Sequence, residues 1–158
     1  MRGLCPDSLT TAWTSWEEPV RGISIGYKTR FYPDEISDFM ARMQWADEGQ
    51  GNHNPQVLVN GDGSLTPLVL HVKPGETIRL DASLSSDPDG DSLSFHWWTQ
   101  PEIVTGTLAI SAADNPVVTV RVPDGVKNTS YHIICEVHDN GPFRLVTYKR
   151  IIFVVGFG

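Results

Sequence analysis

The chain has 158 residues, 40% of them hydrophobic, enough for one good core and too few for two ordinary domains. Its formal net charge of −7, with no lysine or arginine block, repels phosphate backbones and anionic membranes alike, which argues against nucleic acid and membrane as partners. No apolar run approaches the roughly 20 residues of a spanning helix, and Met1-Arg2-Gly3-Leu4-Cys5-Pro6 has no hydrophobic signal core, so nothing in the sequence addresses the chain to a membrane or an export route.

Residues 1–32 carry Trp13, Trp16, Tyr27, Phe31 and Tyr32, too aromatic for a disordered tail, and are expected to pack on the rest of the chain or on another domain. From Pro33 the pattern turns helical: Ile36, Phe39, Met40 and Met43 fall at i, i+3, i+4 and i+7, with Pro33, Asp34 and Glu35 at a favourable N-terminus. The spacing predicts one amphipathic helix over about 34–45. The polar, glycine-containing stretch from Asp47 to Pro55 then reads as a linker, dividing an N-terminal extension, residues 1–53, from a domain over residues 54–158.

Beyond Pro55 the period becomes two, and the 14 glycines and 11 prolines of the chain punctuate short apolar runs. Val57-Leu58-Val59, Leu68 to Val72, Ile78 to Ala82, Leu93 to Trp98, Val118 to Val122, Tyr131 to Val137 and Leu145 to Val155 each read as a strand. The expectation is a mainly β protein: an immunoglobulin-like antiparallel sandwich of seven or eight strands, with a buried Trp97 on a central strand.

Three features carry possible chemistry. Asp87, Asp89 and Asp91 alternate through Asp87-Pro88-Asp89-Gly90-Asp91, a spacing that suits calcium. An EF-hand loop begun at Asp87 would, however, need glutamate where Trp98 stands and its glycine two places later, so a tight turn built on Asx hydrogen bonds is the alternative. The second feature is a strand face bearing His96 and Trp98 beside another bearing His132, Ile134, Glu136 and His138. If those strands pair, Trp98, His96, Glu136 and His138 form a candidate ligand site, with an indole to stack on a pyranose and polar groups to hold its hydroxyls. The alternative is that the helix and the N-terminal aromatics cover that face and make Trp98 part of the core. A zinc site from His96, His132 and His138 lacks any short ligand spacing. Third, Cys5 and Cys135 allow one long-range disulfide or none. No nucleophile elbow, metalloprotease helix or phosphate loop is present, and Glu102 and Glu136 alone do not make a glycosidase pair, so the chain reads as no enzyme and as needing no cofactor.

The segment Leu80-Asp81-Ala82-Ser83, the Ser-Ser-Asp-Pro-Asp-Gly-Asp loop, and Leu93-Ser94-Phe95-His96-Trp97 together resemble the B–C region of PKD-type and cadherin-like modules of bacterial extracellular proteins. Tyr131 to Gly141 resembles their F strand and F–G turn. A closer similarity, over about residues 38–154, is to the C-terminal domain of bacterial secreted proteins described as cellulose-binding, which carry a nucleoside-hydrolase-like domain ahead of it. Its marks here are Asp38-Phe39-Met40-Ala41-Arg42-Met43-Gln44-Trp45, Asn52-His53-Asn54-Pro55, Val59-Asn60-Gly61-Asp62 and Trp97-Trp98 followed by Pro101-Glu102. The resemblance implies an extracytoplasmic, non-catalytic accessory module that binds polysaccharide (cellulose or a related plant glycan) or, alternatively, a spacer or docking partner of a hydrolase-like domain. That hydrolase-like domain, with its aspartate cluster, has no counterpart in these residues, and its activity does not carry over.

Overall fold

In the computed structural model, which describes residues 18–100 and 108–156, one helix, α1 (Glu18–Glu48), precedes seven strands. These are β1 (Leu68–Val72), β2 (Thr77–Asp81), β3 (Ser94–Thr99), β4 (Ala109–Ser111), β5 (Val117–Arg121), β6 (Thr129–His138) and β7 (Val146–Val155). Trp13, Trp16, Cys5 and Glu102 lie outside the described residues.

Alternation sorts the strands into two sheets. One has the order β1-β7-β6-β3, the other β2-β5-β4, and every pairing is antiparallel except that of β1 with β7. Four strands facing three, with the chain crossing between the sheets four times and only β4–β5 and β6–β7 following one another within a sheet, is the immunoglobulin-like sandwich expected from the sequence. Leu80, Trp97, Val118, Val120, Ile133, Cys135, Val137, Ile151 and Phe153 fill the space between the sheets. Trp97 is 2% exposed, and its indole N–H donates to the Asn115 carbonyl at 2.9 Å, so the largest core side chain is also polar-satisfied.

Three local expectations are corrected. Val57-Leu58-Val59 forms no strand: Val59 only bridges to Asp62 across Asn60 and Gly61, both at positive φ, although Val57 and Val59 are buried in the core. A turn tight enough to need two left-handed residues leaves the segment no length over which to pair. β4 was not expected, because Ala109-Ile110-Ser111 is too short for its alternation to register.

The helix is the third correction. It starts at Glu18, not near Asp34, and runs through Pro33. Proline in a helix interior removes one hydrogen bond and costs about 3 kcal/mol, but packing on the sandwich offsets that loss on both sides of it. Tyr27 and Phe31 before Pro33, and Asp34 after it, all reach the outer face of the four-stranded sheet. The face of α1 expected to be buried is also the wrong one: Ile36, Phe39, Met40 and Met43 are 38–59% exposed, whereas Phe31 and Ala41 are buried.

Candidate functional site

The outer face of the four-stranded sheet is set by the register of β3, β6 and β7. His96 lies opposite Glu136, Trp98 opposite Ile134, and Glu136 opposite Tyr148. Phe31 of α1 descends onto this surface, edge-on to Tyr148 with ring centroids 5.5 Å apart and 6.4 Å from Trp98. Ile134, Val146 and Tyr148 complete a second small core beneath the helix. Tyr148 donates its hydroxyl hydrogen bond to Asp34, and Gln100 donates to the Tyr27 hydroxyl, so helix and sheet are joined by polar as well as apolar contacts.

Glu136 is the hub of the polar part. Its carboxylate accepts from the Trp98 indole N–H at 3.1 Å and bonds the His138 imidazole at 2.8 Å, and Arg30 lies 3.6 Å away. Burial pushes the Glu136 carboxyl up, but His138, Arg30 and the Trp98 N–H together outweigh it and hold the group below its ordinary value. Arg30 also stacks on the indole, its guanidinium carbon 3.6 Å from the ring centroid of Trp98. The structure thus brings Trp98, Glu136 and His138 together. His96 turns toward the rim, where its Nδ1 is 2.7 Å from the exposed Asp114 carboxylate.

The Trp98 indole is therefore not an open platform, since one helix supplies both the cation on its ring and the neighbouring Phe31. Arg30 had no signal of its own in the sequence, because only the path of α1 across the sheet places it there. Burial pushes the Tyr148 hydroxyl up, with the hydrogen bond to Asp34 acting in the same direction.

The three aspartates of the β2–β3 loop have different partners. Asp87 Oδ1 accepts the amides of Asp89 at 2.8 Å and Asp91 at 3.3 Å, the Asx geometry of a turn, with Gly90 at φ 84°. Asp89 reaches back to the linker, accepting from the His53 amide at 2.7 Å and contacting its ring at 3.0 Å, and the amide bond holds its carboxyl below the ordinary value. Among the described residues no group of three or more His, Cys, Asp or Glu is gathered to hold a metal ion.

Asp139 and Asn52 were missed as polar anchors. Asp139, 1% exposed at the end of β6, accepts from the amides of Gly141 at 3.1 Å and Leu145 at 3.0 Å and from the Asn52 side chain at 2.9 Å. Burial pushes its carboxyl up, and these bonds only partly oppose it. Lys149, on the inner side of β7, was read as part of an apolar strand. Its ammonium is buried, donating to the carbonyls of Ser64 at 2.6 Å and Thr66 at 2.9 Å, with Asp62 at 3.3 Å. Cys135 is a free, buried thiol whose pKa burial pushes well above the ordinary range, as suits an inert core residue. Among the described residues no helix is long and apolar enough to cross a membrane.

A search of curated proteins gives no match. Among solved structures, the chain is similar to a nucleoside hydrolase-related hypothetical protein from Saccharophagus degradans that is associated with carbohydrate metabolism, at 36% identity and a TM-score of 0.78. The match covers 80% of this chain and 32% of that one, so the chain spans about a third of the relative's length. A PKD domain from the KIAA 1837 protein is similar at 21% identity and a TM-score of 0.44, over 69% of this chain and 94% of that domain, too weakly to add to the argument. Residues 77–155, from β2 to the end of β7, match the family model of the C-terminal domain of the cellulose-binding protein Sde0182. With the sandwich topology and the 36% identity beside it, that match over half the chain makes this protein a member of the family of the cellulose-binding protein Sde0182, C-terminal domain.

Proposed function

We propose that this chain is a non-catalytic accessory module of an extracytoplasmic, polysaccharide-associated protein, and that α1 seats its sandwich against a nucleoside-hydrolase-like domain. The observation that carries the reading is the outward row on α1 of Ile25, Tyr32, Ile36, Phe39, Met40 and Met43, 38–59% exposed. A helix already packed on a sheet by its other side has no folding reason to keep six large apolar groups in water. The S. degradans relative supports the choice of partner: it is nucleoside hydrolase-related, and two thirds of its length lies beyond the match. The match covers more of this chain than residues 54–158 contain, so it reaches back toward the helix.

The test mixes this chain with the hydrolase-like part of that relative and follows complex formation by calorimetry and sedimentation. We expect a one-to-one complex that the double substitution Phe39→Asp with Met43→Asp weakens at least tenfold, while the melting temperature of the isolated chain stays unchanged, as befits exposed positions. Absence of a complex, or a complex indifferent to both substitutions, would sink the reading.

Polysaccharide binding is the second reading, favoured by the family's cellulose-binding protein and by the convergence of Trp98, Glu136 and His138 with His96 at the rim. Retention on insoluble cellulose and on a panel of plant glycans tests it. Retention that falls at least tenfold in Trp98→Ala and in Glu136→Gln is the outcome expected for a site there. Flow-through of folded protein on every glycan removes this reading and leaves the first untouched.

A further inference from the structure

At one end of the sandwich three segments meet: the linker after α1, the β2–β3 loop and the β6–β7 turn. Oxygen atoms gather there without matching positive charge. Asn52 is 5% exposed, and its side-chain N–H group is committed to Asp139 at 2.9 Å and to the Pro142 carbonyl at 2.8 Å. Those two bonds fix which end of the amide is oxygen, and that oxygen is buried with no hydrogen-bond partner.

The Asn52 oxygen does not face a donor. A Cβ placed on Gly141 would lie 2.1 Å from Asp91 Oδ2 and 2.8 Å from both Oδ1 and Nδ2 of Asn52, so the Asp91 carboxylate and the Asn52 amide flank one small space. Asp87 Oδ2 is likewise buried and unpartnered, its other oxygen being spent on the turn amides. Asp139 joins the group, accepting from Asn52 at 2.9 Å and lying near enough to Asp87 for the two charges to repel. Among the described residues no lysine or arginine ion-pairs with Asp87, Asp91 or Asp139. Acceptors facing acceptors in a buried place are costly unless something positive lies between them.

We propose that this junction binds one calcium ion, through Asn52 Oδ1 and the carboxylates of Asp87, Asp91 and Asp139. An all-oxygen set of carboxylates and an amide carbonyl suits a hard cation that takes six to eight ligands, and water supplies the remainder. Asp139 Oδ1 is filled by the amides of Gly141 and Leu145, but Oδ2, which accepts only from Asn52, keeps a second lone pair. No three acidic groups are drawn into a finished cage, so the ion closes the site by turning Asp87 and Asp91 inward. An open groove of about 800 Å³, bordered by Trp45, Asn52, His53, Asp89, Asp91 and Pro142, connects the Asn52 and Asp91 side of the site with solvent. Asp89 is outside the set, because it is occupied by His53. The ion would tie the end of α1 to two sandwich loops.

The experiment titrates calcium chloride into the chain freed of metal by chelation, follows the heat, and repeats the thermal melt with calcium, with magnesium and with chelator. One calcium per chain is expected, with a Kd on the order of 10⁻⁴ M as in extracellular modules. At a hundredfold excess the melting temperature should rise by about 5–10 °C, and magnesium should do little. Asp87→Asn and Asp91→Asn should each weaken binding at least tenfold while remaining folded in chelator, whereas Asp89→Asn should stay within about twofold of the parent. A folded parent chain that gives neither heat nor stabilisation with 10 mM calcium, as a roughly hundredfold excess, overturns the proposal. Binding unaffected by Asp87→Asn and Asp91→Asn, or lost in Asp89→Asn alone, overturns it equally.

Discussion

Glu136 shows how one side chain is assigned its job by its neighbours. It stands on a half-buried strand face, where a lone carboxylate would be pushed toward its neutral form, yet His138, Arg30 and the Trp98 N–H reverse the direction. Its folded-state pKa therefore lies below the unfolded value. Such a group stabilises the fold above its unfolded pKa, and that contribution is lost as pH falls through the folded one. Glu136→Gln should accordingly cost about 1–2 kcal/mol at neutral pH, and the gap from the parent chain should close as the pH drops below the ordinary glutamate value of 4.5. Urea unfolding across a pH series measures this, and a gap of constant size down to acid pH would show that Glu136 acts through packing alone. Lys149 makes the complementary point: a cation is tolerated on an inward strand position because two carbonyls and Asp62 surround its ammonium.

At the scale of the element, α1 departs furthest from its own local signals. Pro33 with Asp34 and Glu35 makes a good helix start, and an isolated peptide would be expected to use it. The native helix continues past that start because Tyr27 and Phe31, one turn apart, both pack onto the sheet. Phe31, 3% exposed, is the central contact. Phe31→Ala should cost about 3 kcal/mol and should make the Trp98 indole more accessible, read as stronger quenching of tryptophan fluorescence by iodide. If stability and quenching are both unchanged, the helix does not depend on that contact. The strands follow their local signals more closely, since an alternating face holds its register wherever one side is buried.

For the molecule as a whole, two surfaces meet along α1: the inner one holds the helix to the four-stranded sheet, and the outer one carries the row from Ile25 to Met43. Periodicity made the strands, the buried Trp97 and the sandwich legible, because a period of two points alternate side chains into one core whatever the connections are. The Ser-Ser-Asp-Pro-Asp-Gly-Asp loop, the Trp97-Trp98 pair and the order of motifs around them likewise identified the family from the chain alone. Periodicity was equally able to find a helix near Ile36 and Met43, but a helix with apolar groups on more than one side does not disclose which of them meets the sheet. That choice belongs to tertiary packing: Phe31, Ala41, Asp34 and Tyr27 face the sandwich, Arg30 is thereby laid on Trp98, and the expected apolar face is turned outward. The meeting of Asn52, Asp87, Asp91 and Asp139 was hidden for the same reason. Those residues are separated by as many as 87 positions along the chain, and only the closing of the sandwich brings their three loops to one end.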